Sequence, residues 1–394
     1  MKPDRTCGVR SSSAASGARS SGSSGLTAAQ LAVRVALARV SGIGRHRWEQ
    51  LMARFESPEN VLGASVRELA EVPDVGLAIA QAIARADVGQ AAQLVNRVEE
   101  MGGAVLVLED QRYPPMLAEI PDPPLVLFAL GRMELLQQPA VAIVGSRSHT
   151  RYGAEVCRHF ASGAVRYGLV VVSGMARGID TVAHTAALEA GGGTIGVLAN
   201  GFGVVYPASN RALYDRIAKN GCLVTEEEPG EPPYEGSFPK RNRLISGLAR
   251  VTLVVEANGR SGALITAGRA LQQGRDLLAV PGPITSTASA GCNRLIQQGA
   301  KPALGLRDLL EEYGISLDGV ASARLPSDLT ERERRVLELL NDGAAHVDEL
   351  AARLNAGAAE TLAVLTSLEI RGLVSQEGKI FARRSPGSLL EPML

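Results

Sequence analysis

The densest group of residues able to hold a nucleic acid is the run Phe238-Pro239-Lys240-Arg241-Asn242-Arg243. Three cations and an amide flank one aromatic ring at the start of a predicted helix. An aromatic ring can stack on a base while neighbouring cations hold the phosphates, which is how many proteins bind single strands. The alternative is a helix start whose charges are simply solvated. The run lies in the strongly basic part of the chain, and this favours a binding role.

Two glycine-containing loops carry polar groups that suit a phosphate. The first, Gly145-Ser146-Arg147-Ser148, follows a predicted strand and precedes a helix, where backbone N–H groups and the helix dipole can bind an anion. Arg147 adds a planar, bidentate donor, and its place at the end of a strand favours binding over a solvated loop. The second loop repeats this theme after the next strand, with Ser173, Gly174 and Arg177.

A later loop contains Ser261, Gly262 and Thr266, which can cap a helix or bind an anion. The Gly145 loop matches neither Gly-x-Gly-x-x-Gly nor Gly-x-x-x-x-Gly-Lys-Ser/Thr, which disfavours a dinucleotide cofactor and P-loop nucleotide hydrolysis. Several phosphate-compatible loops at one edge of a sheet suit a chain of phosphates better than a single nucleotide. No cofactor is therefore expected, and the four scattered cysteines indicate no zinc or other metal site.

Asp180 and His184 lie four residues apart on a predicted helix, hence on one face. With Ser173 as a nucleophile they would suggest acid–base catalysis. The competing interpretation is that Asp180 caps the helix and His184 is hydrogen-bonded in the core, and this second interpretation is favoured. We expect no catalytic residues.

Alternating strands and helices define the centre of the chain. Short apolar, β-branched runs occur at 141–144, 169–172, 194–198, 222–225, 251–255 and 277–280, with helical stretches between them. This pattern predicts an α/β fold with a mostly parallel sheet covered on both faces. Ligands of such sheets bind at the carboxyl ends of the strands, where the loops described above lie.

The flanking regions are of other kinds. Residues 26–90 contain a turn of the form apolar-x-Gly-x-Gly at 40–44 and a weaker copy at 72–76, which has Asp74 where the first has Gly42. Both resemble helix-hairpin-helix phosphate-binding turns. A plain helical packing module is at least as compatible with them, because the segment carries no net charge. Residues 328–384 show three helices and a hairpin, the winged-helix plan. We divide the chain into a disordered tail (1–25), a helical domain (26–90), a proline-rich lead-in (91–138), the α/β core (139–313), a linker (314–327), a winged-helix domain (328–384) and a final tail (385–394).

Charge is segregated along the chain although 41 Lys and Arg balance 41 Asp and Glu. Residues 139–305 carry 17 basic and 11 acidic side chains, a net +6, whereas residues 306–394 carry 10 and 15, a net −5. The core can thus attract a polyanion despite overall neutrality. Four cysteines without Cys-x-x-Cys spacing suit a reducing, cytoplasmic compartment, and the longest uncharged run, 190–210, is broken by glycines and Pro207, so no membrane span is expected.

Several ordered motifs together resemble the DNA-processing protein A (DprA/Smf) family. They comprise Val141-Ala142-Ile143-Val144-Gly145-Ser146-Arg147, the 173–180 loop with His184, Tyr206-Pro207, the 238–243 run, Ser261-Gly262-Ala263-Leu264-Ile265-Thr266-Ala267, Pro281-Gly282 and the segment 291–296. The resemblance covers roughly residues 26–384.

This resemblance implies a Rossmann-like domain that binds single-stranded DNA, acts as a homodimer and helps load the RecA recombinase during DNA uptake and recombination. It places Gly145, Ser146, Arg147, Ser173, Gly174, Lys240 and Arg243 along the strand, with Phe238 stacking on or bracketing a base. The family has no established catalytic centre. Because the winged-helix end is acidic, protein contact or regulation is favoured there over duplex binding.

An enzyme is the alternative. Lysine-decarboxylase-like Rossmann proteins cleave nucleoside monophosphates with a Pro-Gly-Gly-x-Gly-Thr loop, which would fall near residues 259–266. The sequence has Arg260-Ser261-Gly262-Ala263 there and lacks the catalytic glutamate that follows. The binding role is therefore preferred.

Overall fold

A computed structural model describes residues 26–315, 329–340, 343, 345–371 and 373–383. The expected tails at 1–25 and 385–394 and nearly all of the linker at 314–327 lie outside these residues. The chain forms two compact units, one ending at Ile315 and one beginning at Ser316. No helix in the described ranges is both long enough and apolar enough to cross a bilayer.

The first unit opens with six helices: α1 (Ala28–Ala38), α2 (Arg45–Phe55), α3 (Pro58–Gly63), α4 (Val66–Ala70), α5 (Gly76–Ala84) and α6 (Val88–Glu100). Thr27 and Ser65 close capping boxes at the starts of α1 and α4. Gly42 has φ +91° in the turn between α1 and α2, a conformation that L side chains rarely adopt. Leu51 and Leu69 are fully buried in the shared core of these helices.

Nine strands form the central sheet: β1 (Gly103–Val107), β2 (Val126–Gly131), β3 (Ala140–Val144), β4 (Val170–Ser173), β5 (Thr194–Val197), β6 (Cys222–Thr225), β7 (Val251–Val254), β8 (Asp276–Ala279) and β9 (Lys301–Pro302). Their order is β1-β2-β6-β5-β4-β3-β7-β8-β9. The seven strands from β6 to β9 run parallel, while β1 and β2 add antiparallel pairs at one edge. The predicted α/β fold with a mostly parallel, Rossmann-like sheet is confirmed.

Helices cover both faces of this sheet: α7 (Pro115–Ala118), α8 (Arg151–Arg166), α9 (Ile179–Glu189), α10 (Arg211–Asn220), α11 (Ser237–Gly247), α12 (Gly262–Gln272), α13 (Ala290–Gln297) and α14 (Leu306–Glu311). The inner strands read as continuous apolar runs and are buried along their whole length, as both-sided coverage requires. Strand order reverses between β3 and β7. Such a switch point leaves a crevice between the loops that follow the two strands.

The segment 91–138 is more than a lead-in to the core. The boundary placed at residue 90 falls inside α6, and β1 and β2 extend the sheet by pairing with each other and with β6. The prolines at 114–115 and 121–124 lie in the connection between these two strands, where no ladder hydrogen bond is lost. Val105 and Phe128 are opposite partners, and both are buried.

The second unit contains α15 (Glu331–Leu339), β10 (Ala345–His346), α16 (Val347–Leu354), α17 (Ala358–Ile370), β11 (Val374–Glu377) and β12 (Ile380–Arg383). Thr330 and Glu333 form the predicted capping box at the start of α15. β10, β12 and β11 form a small antiparallel sheet with β12 in the middle. Three helices and a hairpin confirm the winged-helix fold.

Candidate nucleic-acid interface

A groove follows the carboxyl ends of β3, β4, β5 and β7 and crosses the switch point of the sheet. Two adjoining cavities make up this groove, and both are bordered by Arg147, Ser148, Ala176, Phe238 and Arg241. The first cavity extends to Arg177 and Tyr206, and the second extends to Asn242 and the loop from Asn258 to Thr266. The sequence-predicted loops after β3, β4 and β7 are therefore brought together along one continuous depression.

Phe238 stands where the two cavities meet. Its ring is half-buried, and the guanidinium carbon of Arg147 lies 5.6 Å from the ring centroid. The ring of Tyr206 lies tilted beside it, with 5.4 Å between the centroids. A cation and a second ring thus hold Phe238 in place, and this trio can present a flat apolar surface to a base while the cation meets a phosphate.

Three arginines along the groove, Arg147, Arg177 and Arg260, are exposed. None of them forms an ion pair with any residue in the part of the chain that the structure describes. Their charge is available to a polyanion, because binding need not first break an internal salt bridge. Arg260 comes from the loop after β7 and was not singled out as a ligand residue from the sequence.

Arg241 borders the groove, but its hydrogen bonds stabilise the loop after β4. It is almost fully buried and donates to the backbone oxygen of Gly174 at 2.6 Å and to that of Val197. Asp180 accepts from the backbone N–H groups of Gly174 (3.1 Å) and Ala176 (3.2 Å). Burial lowers the pKa of Arg241 to about 10, and the charge of Asp180 opposes that change, so the guanidinium stays charged at neutral pH. Arg241 and Asp180 together fix the shape of this wall.

Ser173 and His184 each make a side-chain hydrogen bond inside the core, while His184 Nε2 has no partner among the described residues. The Ser173 hydroxyl donates to the Ile143 carbonyl at 2.6 Å, and His184 Nδ1 lies 2.7 Å from Thr194 Oγ1. Burial lowers the pKa of His184 to about 3, so the imidazole is neutral near pH 7. The favoured interpretation of His184 as a hydrogen-bonded core residue agrees with this geometry. Ser173 contributes to the groove only by holding β4 against β3.

The start of α8 is not free for a ligand phosphate. Glu256, at the end of β7, is buried, and its carboxylate accepts from the Thr150 N–H at 2.9 Å and from the Thr150 hydroxyl at 2.5 Å. A Cβ on Gly153 would stand 2.3 Å from this carboxylate. The expectation that the α8 dipole binds an external anion is thus corrected: the protein's own carboxylate lies there. The Gly145 loop keeps Arg147, the exposed Ser148 and its exposed backbone for a ligand.

The remaining residues of the loop after β7 are also either structural or open to a ligand. Ser261 is the N-cap of α12 and accepts from the Ala263 N–H at 3.3 Å. Thr266 is buried one turn further along the helix, while Gly262 is exposed at the border of the cavity. Ser261 therefore positions the loop, and Gly262 leaves room beside Arg260.

Lys240 and Arg243 lie on the other side of α11. Lys240 pairs with Glu227 at 3.2 Å, and Arg243 is buried against Glu226 at 2.6 Å, with Asp122 3.4 Å away. They border a second pocket, which we call the acidic pocket, lined also by Arg39, Ile43, Gly44, Pro123, Glu228 and Glu231. The structure therefore does not bring Lys240 and Arg243 together with Phe238, although all three belong to one sequence run.

Comparison with known proteins identifies the family to which the chain belongs. A model described as DNA recombination-mediator protein A matches residues 104–314, a DprA winged-helix model matches 320–378 and a SAM-like helix-hairpin-helix tandem matches 35–86. The chain belongs to the DNA recombination-mediator protein A family.

Relatives within the DNA recombination-mediator protein A family span most of the chain. Protein Smf of Synechocystis is 33% identical over 393 residues, which cover 89% of this chain and 98% of that protein. The DNA processing protein DprA of Streptococcus pneumoniae is 47% identical over 204 residues, 52% of this chain and 72% of that protein. The X-ray structure of DprA from the same species covers 71% of this chain and 97% of its own, with a TM-score of 0.64 and 36% identity.

The helix-hairpin-helix turns of this DprA-family member make contacts within the protein. Ile43 and Gly44 border the acidic pocket, and Arg45 donates to the carbonyls of Ala118 (2.9 Å) and Ile120 (3.1 Å). Arg47 donates to the backbone oxygens of both turns, Gly42 at 2.6 Å and Asp74 at 2.7 Å. A phosphate at the first turn would face carboxylates, so these contacts favour the packing interpretation of the helical domain.

The recognition-helix position of the DprA winged-helix unit lacks basic side chains. α17 carries Glu360 and Glu369 and no Lys or Arg between Ala358 and Ile370. Winged-helix proteins that read duplex DNA place cations on this helix to meet phosphates. This helix therefore offers no cation of its own to the phosphates of a duplex.

Proposed function

We propose that the protein binds single-stranded DNA in the groove along β3, β4, β5 and β7, with Phe238 as the base-stacking residue. The single observation that carries this proposal is the trio of Arg147, Phe238 and Tyr206 at the junction of the two cavities. A half-buried ring in a depression can reach a base that is turned outward from a single strand. Bases stacked and paired inside a duplex are not accessible to it.

The distribution of charge supports a strand rather than a mononucleotide. Arg177, Arg147 and Arg260 follow one another from the first cavity to the second, so successive phosphates of a strand could each meet a cation. The α8 helix start, where a single bound nucleotide would place its phosphate in many related folds, is occupied by Glu256.

We propose further that the bound strand is passed to a RecA-type recombinase and that the protein acts as a homodimer during recombination and DNA uptake. Membership of the recombination-mediator family supports this assignment. Its test is the rate at which the recombinase coats single-stranded DNA already covered by single-strand-binding protein. Added protein should accelerate coating, and an unchanged rate would contradict the mediator role.

The test of binding uses fluorescence anisotropy with the full chain and labelled oligonucleotides. Single strands should bind more tightly than duplexes of the same sequence, and the affinity should fall steeply with salt. Arg147→Ala should reduce the dependence of log Kd on log salt by about one unit. Arg151→Ala is the matched control, since Arg151 is exposed on α8, pairs with Glu155 and does not line the groove. Equal effects of the two substitutions would contradict the site.

We propose a non-catalytic role, since the loop at 259–266 carries Arg260-Ser261-Gly262-Ala263 in place of the hydrolase motif. Incubation of the full chain with nucleoside monophosphates should release no free base. Release of free base by the full chain would instead favour the hydrolase.

A further inference from the structure

Helix α17 of the winged-helix unit presents an apolar stripe to solvent. Its exposed positions recur every three or four residues and so share one side of the helix: Ala359, Leu362, Ala363, Thr366 and Ile370. Leu362 is 44% exposed and Ile370 is 83% exposed. The buried side, with Leu365 and Leu368, already packs in the core of the unit. The stripe therefore faces away from that core, and no described residue of this unit covers it.

This stripe is suited to an apolar peptide rather than to a polyanion. The charged residues within α17 are Glu360, which pairs with Arg332, and Glu369. Arg371 borders the stripe just after the helix and pairs with Glu333. A row of aliphatic side chains at helical spacing is the surface that extended or helical peptides contact through anchors three or four residues apart. Exposed apolar rows of this kind usually mark a contact surface.

The chain itself carries a matching segment, which begins next to the end of α17. In the wing, which is the hairpin of β11 and β12, Arg383 lies opposite Val374. The Leu373 N–H donates to the Leu368 carbonyl at 2.8 Å, so β11 starts directly beside the last turn of α17. Residues 384–394 follow Arg383 and include four large apolar side chains: Leu389, Leu390, Met393 and Leu394.

The length of this segment is sufficient. The six residues from Arg383 to Leu389 span up to about 20 Å when extended. The 13 residues of α17 have a length of about 20 Å at 1.5 Å per residue. The leucine pair at 389–390 can therefore reach any point of the stripe from Ile370 to Ala359.

We propose that residues 384–394 dock on the α17 stripe of the same chain, so that the leucine pair at 389–390 covers Leu362. The winged-helix unit is then a docking site for a short apolar peptide, and its occupant is the segment that follows the wing. This inference is independent of the DNA-binding proposal, because it concerns the other unit.

The test measures solvent access at the stripe in the full chain. A Leu362→Cys variant in a Cys7→Ser background is labelled with a soluble thiol reagent, while Cys157, Cys222 and Cys292 are buried. Labelling should be several-fold slower in the full chain than in a chain ending at Arg384. Asp348→Cys on α16, with a 71% exposed side chain, is the control and should be labelled equally fast in both.

A second pair of variants keeps the chain length constant. Leu389→Asp combined with Leu390→Asp should raise the labelling rate at position 362 to that of the shortened chain, whereas Ser388→Asp, which adds a charge without removing an apolar side chain, should leave it slow. Equal labelling of full and shortened chains would overturn the proposal. So would protection that strengthens with protein concentration, since that result would show a second copy on the stripe.

Discussion

The two sides of α11 differ in whether the nearby cations are paired with carboxylates. This difference distinguishes a surface that can bind a ligand from a structural one. On the groove side, Phe238 borders both cavities, and the nearby Arg147 has no ion-pair partner among the described residues. On the side of the acidic pocket, Lys240 and Arg243 are paired with Glu227 and Glu226. One turn of sequence thus supplies a binding surface on one side and internal ion pairs on the other.

The comparison shows that counting cations overestimates a binding site. A cation already paired with a carboxylate must lose that partner before it can hold a phosphate, so its net contribution to binding is small. The acidic pocket would also repel a polyanion, because Glu226, Glu227, Glu228 and Glu231 line it. Four substitutions, two on the groove side of α11, one in the loop after β7 and one beside the acidic pocket, test this contrast.

Arg241→Met should have the largest effect. It leaves the Asp180 carboxylate buried without its cation and removes the donors to the Gly174 and Val197 carbonyls, so the free energy of unfolding should fall by about 3–5 kcal/mol. Urea unfolding followed by circular dichroism measures this. A loss below about 1 kcal/mol would show that Arg241 does not hold the loop.

Phe238→Ala should weaken single-strand binding by about 1–3 kcal/mol, or roughly 5- to 150-fold in Kd. The salt dependence of Kd should stay as in the parent chain, because no charge is removed. Phe238→Tyr is the control and should retain most of the affinity. If the alanine variant bound normally, the ring would have no contact with bases.

Arg260→Ala should weaken binding less, by several-fold at low salt, because one phosphate contact is lost. Anisotropy titrations at a series of salt concentrations should show a slope smaller by about one. The matched control is Arg269→Ala on α12, whose side chain bonds to Gln272 and does not line the groove. If Arg260→Ala and Arg269→Ala had the same affinity and the same salt dependence, the binding groove would be limited to its first cavity.

Lys240→Ala should have the smallest effect on DNA, with Kd changed by less than about twofold, because its ion pair with Glu227 is half-exposed and external to the groove. The sequence resemblance instead predicts that Lys240 contacts the strand. A loss of affinity comparable to that of Arg147→Ala would restore that prediction and remove the contrast between the two sides.

The sheet and its loops could be predicted from the sequence because β-branched runs and glycine-rich loops are local signals. Each expected strand from 141 to 280 corresponds to one of β3 to β8. The edge strands β1 and β2 were not expected, since their pairing with β6 is non-local and proline-rich sequence separates them.

The sequence groups residues 238–243 as one cluster, whereas the structure places them on two sides of α11. Phe238, Arg241 and Asn242 border the groove, while Lys240 and Arg243, three residues apart, share the other side. Helical periodicity could have predicted this division, since residues at i and i+3 lie on the same side of a helix. The role of Glu256 carried no such signal, because a carboxylate meets the start of α8 only through a contact between residues 106 positions apart.

Ultraviolet cross-linking of oligothymidine to the full chain, followed by mass spectrometry of the peptide adducts, tests the central claim most directly. We predict adducts on Phe238 or Tyr206, which Phe238→Ala redistributes or abolishes. Adducts confined to the helical domain, to the acidic pocket or to the winged-helix unit would contradict the assignment of the strand to the groove.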